Sequence, residues 1–148
     1  MTYRPASCRA SEPLPFMFIK VGRHVERQLH RSLTECGLNM NNIIALLEIA
    51  RWPGISRAGL ARALQVTPQA IHGTTSHLIE EKLITRSEYV PGFPVEFSVS
   101  KAGIEVIPEM NHALKSMHLE IVSRFPPRSA VEIAGTLQRL LEVPVGSA

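Results

Sequence analysis

Residues 53–84 read PGISRAGLARALQVTPQAIHGTTSHLIEEKLI, and the fold turns on them. The stretch opens on Pro53-Gly54, a turn-forming pair that follows Trp52 and ends whatever helix precedes it. Ser56 then stands at an N-cap position, with Leu60, Ala61 and Leu64 facing inward at helical spacing. Gln65-Val66 reads as a turn. Thr67-Pro68 repeats the start signal: a capping hydroxyl, then a residue whose missing N–H costs nothing at the first helical position. The helix that follows places Ile71, Thr74, Thr75 and Leu78 on one inward face. Its other face shows Gln69, His72, Gly73, Ser76 and His77, and carries no charge until Glu80, Glu81 and Lys82. A groove lined with hydrogen-bonding base edges is one physical reason for a surface helix to be so short of charge.

Working toward the N-terminus, Asn39 can cap a helix whose apolar stripe is Ile43, Leu46, Leu47 and Ala50. Before it, a helical pattern sets in at Leu14, with Phe18, Gly22, Val25, Leu29 and Leu33 on one side and Arg23, Arg27 and Arg31 on others. Gly37 is its natural stop. Working toward the C-terminus, Leu83 to Glu88 reads as a strand. Val90 to Pro94 is a turn, and Val95, Phe97 and Val99 alternate with polar residues as in a half-buried strand. Two strands about a turn, directly after a helix pair, make a wing. Beyond Lys101-Ala102-Gly103, the residues Ile104, Ile107, Met110, Leu114, Met117 and Ile121 approach a coiled-coil seam. Pro108 is expected to kink that helix and Pro126-Pro127 to break it. A last helix shows Ala130, Ile133, Ala134, Leu137, Leu140 and Leu141 on one side.

The expected fold class is therefore mainly α with a small β-hairpin wing: a winged helix-turn-helix plus N- and C-terminal dimerisation helices. The expected organisation is a flexible arm at 1–13, an N-terminal dimerisation helix at 14–37, the winged helix-turn-helix at 38–100 and C-terminal dimerisation helices at 101–148. The terminal helices are too apolar to be solvated alone, and a second copy in a two-fold dimer is the simplest cover.

Composition supports a folded chain but does not choose a partner. The 148 residues are 45% hydrophobic and 20% charged, with a net charge of +3. Residues 1–37 hold six Lys or Arg against three Glu, whereas 38–100 hold five of each sign. The reading domain is thus electrically neutral, and charge alone does not point to nucleic acid. No apolar run approaches a bilayer span and the first residues lack a signal-peptide pattern, so a cytoplasmic location without membrane contact is expected. No enzyme motif is present: no GxSxG, no glycine-rich phosphate loop, no HExxH. The expectation is a protein without enzymatic activity and without a cofactor. The histidine pairs His24/His30, His72/His77 and His112/His118 lie five or six residues apart and share no helix face, so no metal site is expected. Cys8, beside Arg9, and Cys36 are too few for a disulfide framework; a redox-sensing role for Cys8 is the lesser reading and Cys36 reads as a quiet thiol.

The combination of the Pro53-Gly54 turn, the Leu60-Ala61…Leu64 helix, Val66-Thr67…Ile71, the closing Leu83-Ile84 and the Ser100…Gly103 spacing resembles the MarR family of bacterial winged-helix regulators, over about residues 16–143. The resemblance implies a homodimer that binds double-stranded DNA, recognition helices in successive major grooves and wings flanking the minor groove. It further implies a repressor released by a small aromatic or lipophilic effector. Three features depart from the family pattern. No Lys or Arg lies between Arg86 and Lys101, where the wing commonly carries arginine; Gly73 stands where a basic residue is frequent; and Gly59 replaces the Glu that commonly completes a capping box with Ser56.

The candidate DNA contacts follow. Gln69 can pair bidentately with adenine, Ala70 can touch a thymine methyl, and His72, Gly73, Ser76 and His77 share the exposed face. Thr67, Pro68 and the helix start suit a phosphate, as do Ser56, Arg57 and Arg86. Met17, Met40, Met110, Met117 and Trp52 are candidates for core or for an effector pocket. The alternative function is a winged-helix protein–protein adaptor with weak or no DNA binding, suggested by the neutral reading domain and the uncharged wing.

Overall fold

The structure is a computed structural model that describes residues 13–33 and 37–142. The arm expected at 1–13, with Cys8, falls outside the described residues except for Pro13, and Cys36 falls outside them too. In chain order the elements are α1 (Leu14–Ser32), α2 (Met40–Arg51), β1 (Ile55–Ser56), α3 (Arg57–Ala63), α4 (Pro68–Glu80), β2 (Ile84–Arg86), β3 (Glu96–Val99), α5 (Lys101–Ser123) and α6 (Ser129–Glu142). The chain divides into two compact units between Asn111 and His112.

In the first unit the starts of α2, α3 and α4 are each fixed by a local side chain, whereas α1 begins after Pro13 without one. The Asn42 N–H donates to Asn39 Oδ1 at 2.9 Å, the Gly59 N–H to Ser56 Oγ at 3.1 Å, and the Ala70 N–H to Thr67 Oγ1 at 3.2 Å. Each bond satisfies a donor that the helix itself leaves unpaired, which typically contributes about 1 kcal/mol. Ile43, Leu46 and Ile49 of α2, Leu60 of α3, Ile71 and Leu78 of α4 and Phe97 of β3 meet in one core. Leu29 and Leu33 add the C-terminal end of the first helix to it, whereas Phe18 at the other end is exposed. On α4, Thr75 is buried with its hydroxyl donating to the Ile71 carbonyl at 2.9 Å. Thr74, read from the sequence as inward, is only half-buried.

The expected hairpin is present as β2 paired with β3, and β1 adds a strand to it. The wing is thus a three-stranded antiparallel sheet of order β1-β3-β2, with Ile55 opposite Phe97 and Ile84 opposite Val99. The first strand is two residues long, too short to show any alternation, and it is delivered by the Trp52–Gly54 turn. Gly54 adopts φ +82°, and its N–H donates to the Phe97 carbonyl at 2.9 Å. The strand read at 83–88 is shorter, Ile84–Arg86, because Leu83 serves instead as the junction to α5. There the Ser100 N–H donates to the Leu83 carbonyl, the Ser100 hydroxyl donates to the Lys82 carbonyl at 2.6 Å, and the same oxygen accepts from the Gly103 N–H. A Cβ at Gly103 would lie 2.1 Å from the Leu83 carbonyl oxygen. The Ser100…Gly103 spacing thus has a physical cause: the serine caps α5, and the glycine lets it press against the backbone leaving α4.

Helix α5 passes Pro108 without interruption. In the second unit α5 ends at Ser123, ahead of Pro126-Pro127, and α6 follows. No residue of α6 is buried; Leu137, Leu140 and Leu141 are exposed. Among the described residues no helix is long and apolar enough to cross a membrane.

Candidate nucleic-acid interface

Helix α4 begins with its N-terminus open to solvent: Thr67, Pro68, Gln69 and Ala70 are all exposed. Pro68 has no N–H to leave unpaired, and the Ala70 N–H is taken by Thr67. One turn on, His72 and Gly73 are exposed too, and nothing lies within 4 Å of where a Cβ on Gly73 would stand. The N-terminal two turns therefore present an amide, a methyl, an imidazole and bare backbone, with no Asp, Glu, Lys or Arg among them. Such a surface can follow a row of donors and acceptors closely.

The last turns differ. Ser76 and His77 are half-buried, and His77 Nδ1 lies 2.8 Å from the Nδ2 of Asn42, a side chain that is 1% exposed. Only Nε2 of His77 remains for any other partner. The bond ties the end of α4 to α2 across 35 residues of sequence, so His77 serves as a positioning residue for the helix. Sequence reasoning passed over Asn42. Its spacing to Leu46 and Ile49 puts it on the buried stripe of α2, and a polar residue there calls for a partner.

Arg57 and Ser56 are half-buried at the start of α3. The Arg57 guanidinium carbon lies 6.0 Å from the centroid of the Phe97 ring, and its Nε is buried without a hydrogen-bond partner. The core ring thus holds the arginine stem against the sheet. Arg86 ends β2, opposite Phe97, and is exposed. The structure gathers Thr67, Pro68, Gln69, Ala70, His72 and Gly73 on one exposed helix end. It sets Ser56 and Arg57 at the start of α3 and Arg86 on the wing.

Met40 and Met110 are buried, Met17 and Trp52 are exposed. A cleft of about 590 Å³ does open where α1 meets the start of α2, lined by Arg23, Glu26, Arg27, His30, Arg31, Asn39 and Met40. Among the described residues no three His, Cys, Asp or Glu side chains cluster as a metal site would need.

No protein-family model matches the chain. It is 22% identical over 129 residues to the HTH-type transcriptional repressor Rv2887 of Mycobacterium tuberculosis, covering 86% of this chain and 93% of that one. The structure of Rv2887, a MarR family protein, in complex with p-aminosalicylic acid matches with a TM-score of 0.68 at 22% identity, over 87% of this chain and 98% of that one. The crystal structure of MarR matches with a TM-score of 0.73 at 25% identity, over 88% and 96% of the two chains. The Staphylococcus aureus MepR–DNA complex matches with a TM-score of 0.78 at 17% identity, over 89% and 98%. The resemblance read from residues 53–103 is borne out: the chain has the winged-helix fold of the MarR-family regulators.

Proposed function

We propose that this protein is a cytoplasmic transcriptional regulator without enzymatic activity, which binds double-stranded DNA sequence-specifically as a homodimer and acts as a repressor released by a small aromatic or lipophilic effector. The observation that carries the reading is the uncharged, exposed N-terminal face of α4 in a fold shared with a DNA-bound regulator. Gln69, Ala70, His72 and Gly73 are assigned to base edges, with Ser76 and the free nitrogen of His77 at the margin. Thr67 and Pro68 at the helix start, Ser56 and Arg57 at the start of α3, and Arg86 on the wing are assigned to phosphates.

Residues 14–37 and 101–148 are assigned to dimerisation, because Leu14, Phe16, Phe18 and Ile19 on α1 and Leu140 and Leu141 on α6 are exposed in the single chain. Two recognition helices one helical turn apart, roughly 34 Å, then read a pseudo-palindrome. Rv2887 is solved with p-aminosalicylic acid and with salicylic acid. The cleft beside Arg23, Arg27, His30 and Arg31 suits the carboxylate of an effector of that kind.

The test is fluorescence anisotropy of the protein on duplex DNA from upstream of its own gene, at two salt concentrations and against a scrambled competitor. Tight binding that survives the competitor and falls steeply with salt supports the reading, and salicylate added to that complex tests release. Absence of binding to any duplex at low salt rejects it in favour of the protein–protein adaptor.

A further inference from the structure

The buried residues of α2 are Met40, Asn42, Ile43, Ala45, Leu46 and Ile49, and only Asn42 among them has a polar side chain. An amide that is 1% exposed in such company costs stability unless it is bonded. An apolar side chain of its size would fill the same place without that requirement. The partner of Asn42 is not another core residue. Its Nδ2 lies 2.8 Å from Nδ1 of His77, on the helix whose exposed face is assigned to DNA.

The contact has a chemical consequence at the far edge of the ring. An amide nitrogen only donates, so Nδ1 of His77 accepts, and a neutral ring that accepts at Nδ1 carries its proton on Nε2. Asn42 thereby selects one of two tautomers and fixes the way the ring turns. Groups behind metal-bound histidines act in the same manner: the bond at one ring nitrogen sets what the other offers. His77 is half-buried with its Nδ1 edge on the core, which leaves Nε2 on the outer edge, and among the described residues Nε2 has no partner. His77 also follows Gly73 by one helical turn, so its outer edge lies in line with the bare backbone there. We propose that Asn42 is a positioning residue for DNA recognition. It holds His77 in the Nε2–H tautomer, so that α4 presents a hydrogen-bond donor to an acceptor on the duplex, a purine N7 or a phosphate oxygen, and cannot pair there with a donor such as the amino group of cytosine or adenine. The inference rests on the DNA-binding reading above and adds to it a buried residue that never touches the duplex.

The experiment uses the full chain with isotope-labelled histidine and a duplex selected from a random library. Long-range proton–nitrogen correlation spectra at about pH 8.5, where histidine is ordinarily neutral, tell the two tautomers apart. The ring missing from the spectrum of His77→Ala is that of His77. The wild type is expected to show a protonated Nε2 and a bare Nδ1. A proton on Nδ1 overturns the proposal, and that result needs no variant of Asn42 that folds. Asn42→Leu keeps the volume and loses the donor, and its His77 ring is expected to become a mixture of tautomers. Affinity for the duplex is expected to fall about tenfold in His77→Ala and about fivefold in Asn42→Leu. In the double variant it should fall about tenfold, not about fiftyfold, because Asn42 acts through His77. Losses that multiply in variants with unchanged thermal midpoints give Asn42 a merely structural role and overturn the proposal. Duplexes with a deazapurine lacking N7 at one purine, or a methylphosphonate at one phosphate, separate the two acceptors. The wild type should lose about tenfold at one such position and His77→Ala nothing further there. A purine position assigns the contact to a base and a backbone position assigns it to a phosphate; the absence of any such position overturns it. If Gln69→Ala weakens binding and His77→Ala does not, this inference falls and the regulator reading stands. If the wild type selects no duplex, the regulator reading falls and the contact falls with it.

Discussion

Helix α4 and helix α6 carry similar apolar stripes and meet different surroundings. On α4 the stripe closes onto α2, α3 and the sheet, and Ile71, Thr75 and Leu78 are sealed. On α6 Ile133 is half-buried, Leu137, Leu140 and Leu141 are exposed, and no residue is fully covered. An apolar stripe in the sequence says that a face will be buried, not by what. The winged helix satisfies its stripes with its own chain, and its two fully buried polar residues among those described, Asn42 and Thr75, are both bonded. The proposed second copy does the same for α1 and α6. If so, mutations in the two regions depend differently on protein concentration.

The largest expected effect lies at the junction of α4, the wing and α5. In Gly103→Val the new Cβ would meet the Leu83 carbonyl oxygen at 2.1 Å and the Val99 side chain at 2.6 Å. Neither can move without shifting a strand end, so a loss of about 4 kcal/mol or more is expected, enough to unfold much of the protein at ambient temperature. Circular dichroism and thermal melting read it. A native-like melt would mean that the junction yields more easily than its hydrogen bonds imply.

The comparison itself is broken or sharpened by a matched pair. Leu46→Ala empties a fully buried site on α2 and should cost about 3 kcal/mol at any protein concentration. Leu140→Ala removes a side chain that is 43% exposed in the single chain, where a loss within about 0.5 kcal/mol is expected of an isolated protomer. If α6 is covered by a second copy, the same change costs about 2 kcal/mol, with a thermal midpoint that rises with protein concentration. Sedimentation equilibrium then shows weakened dimers for Leu140→Ala and normal dimers for any folded Leu46→Ala. Equal, concentration-independent effects would remove the distinction between the regions.

Much of this was legible in the sequence, and the part that was legible is local. Asn39, Ser56 and Thr67 were read as caps because a cap and its target lie three residues apart. The exposed face at the start of α4 was legible for the same reason, from the helical period alone. Contacts between distant segments were not. Asn42 and His77 are 35 residues apart, the Phe97 ring under Arg57 is 40 residues away, and β1 is too short to carry a period. Ser100…Gly103 was recognised as a spacing, but its cause, the Leu83 carbonyl, lies outside the motif. Ser100→Ala tests that cause. It removes the cap of α5 and the bond to the Lys82 carbonyl, and a loss of about 1–2 kcal/mol is expected by denaturant melting.

The smallest expected effect has the opposite sign, and it separates folding from binding on α4. Gly73 sits in mid-helix, exposed, with open space where a Cβ would be. Gly73→Ala should therefore stabilise the protein by about 1 kcal/mol, because alanine loses less backbone entropy in a helix, and raise the thermal midpoint by roughly 2–4 °C. A glycine that costs the fold stability has a use if the helix backbone must come close to something. Under the proposed function that something is the floor of the major groove, and the added methyl holds the helix away from it. The variant should melt later and bind its operator less tightly. Higher stability with unchanged affinity would leave α4 as an ordinary helix end and move the search for the DNA contact to Arg57 and the wing.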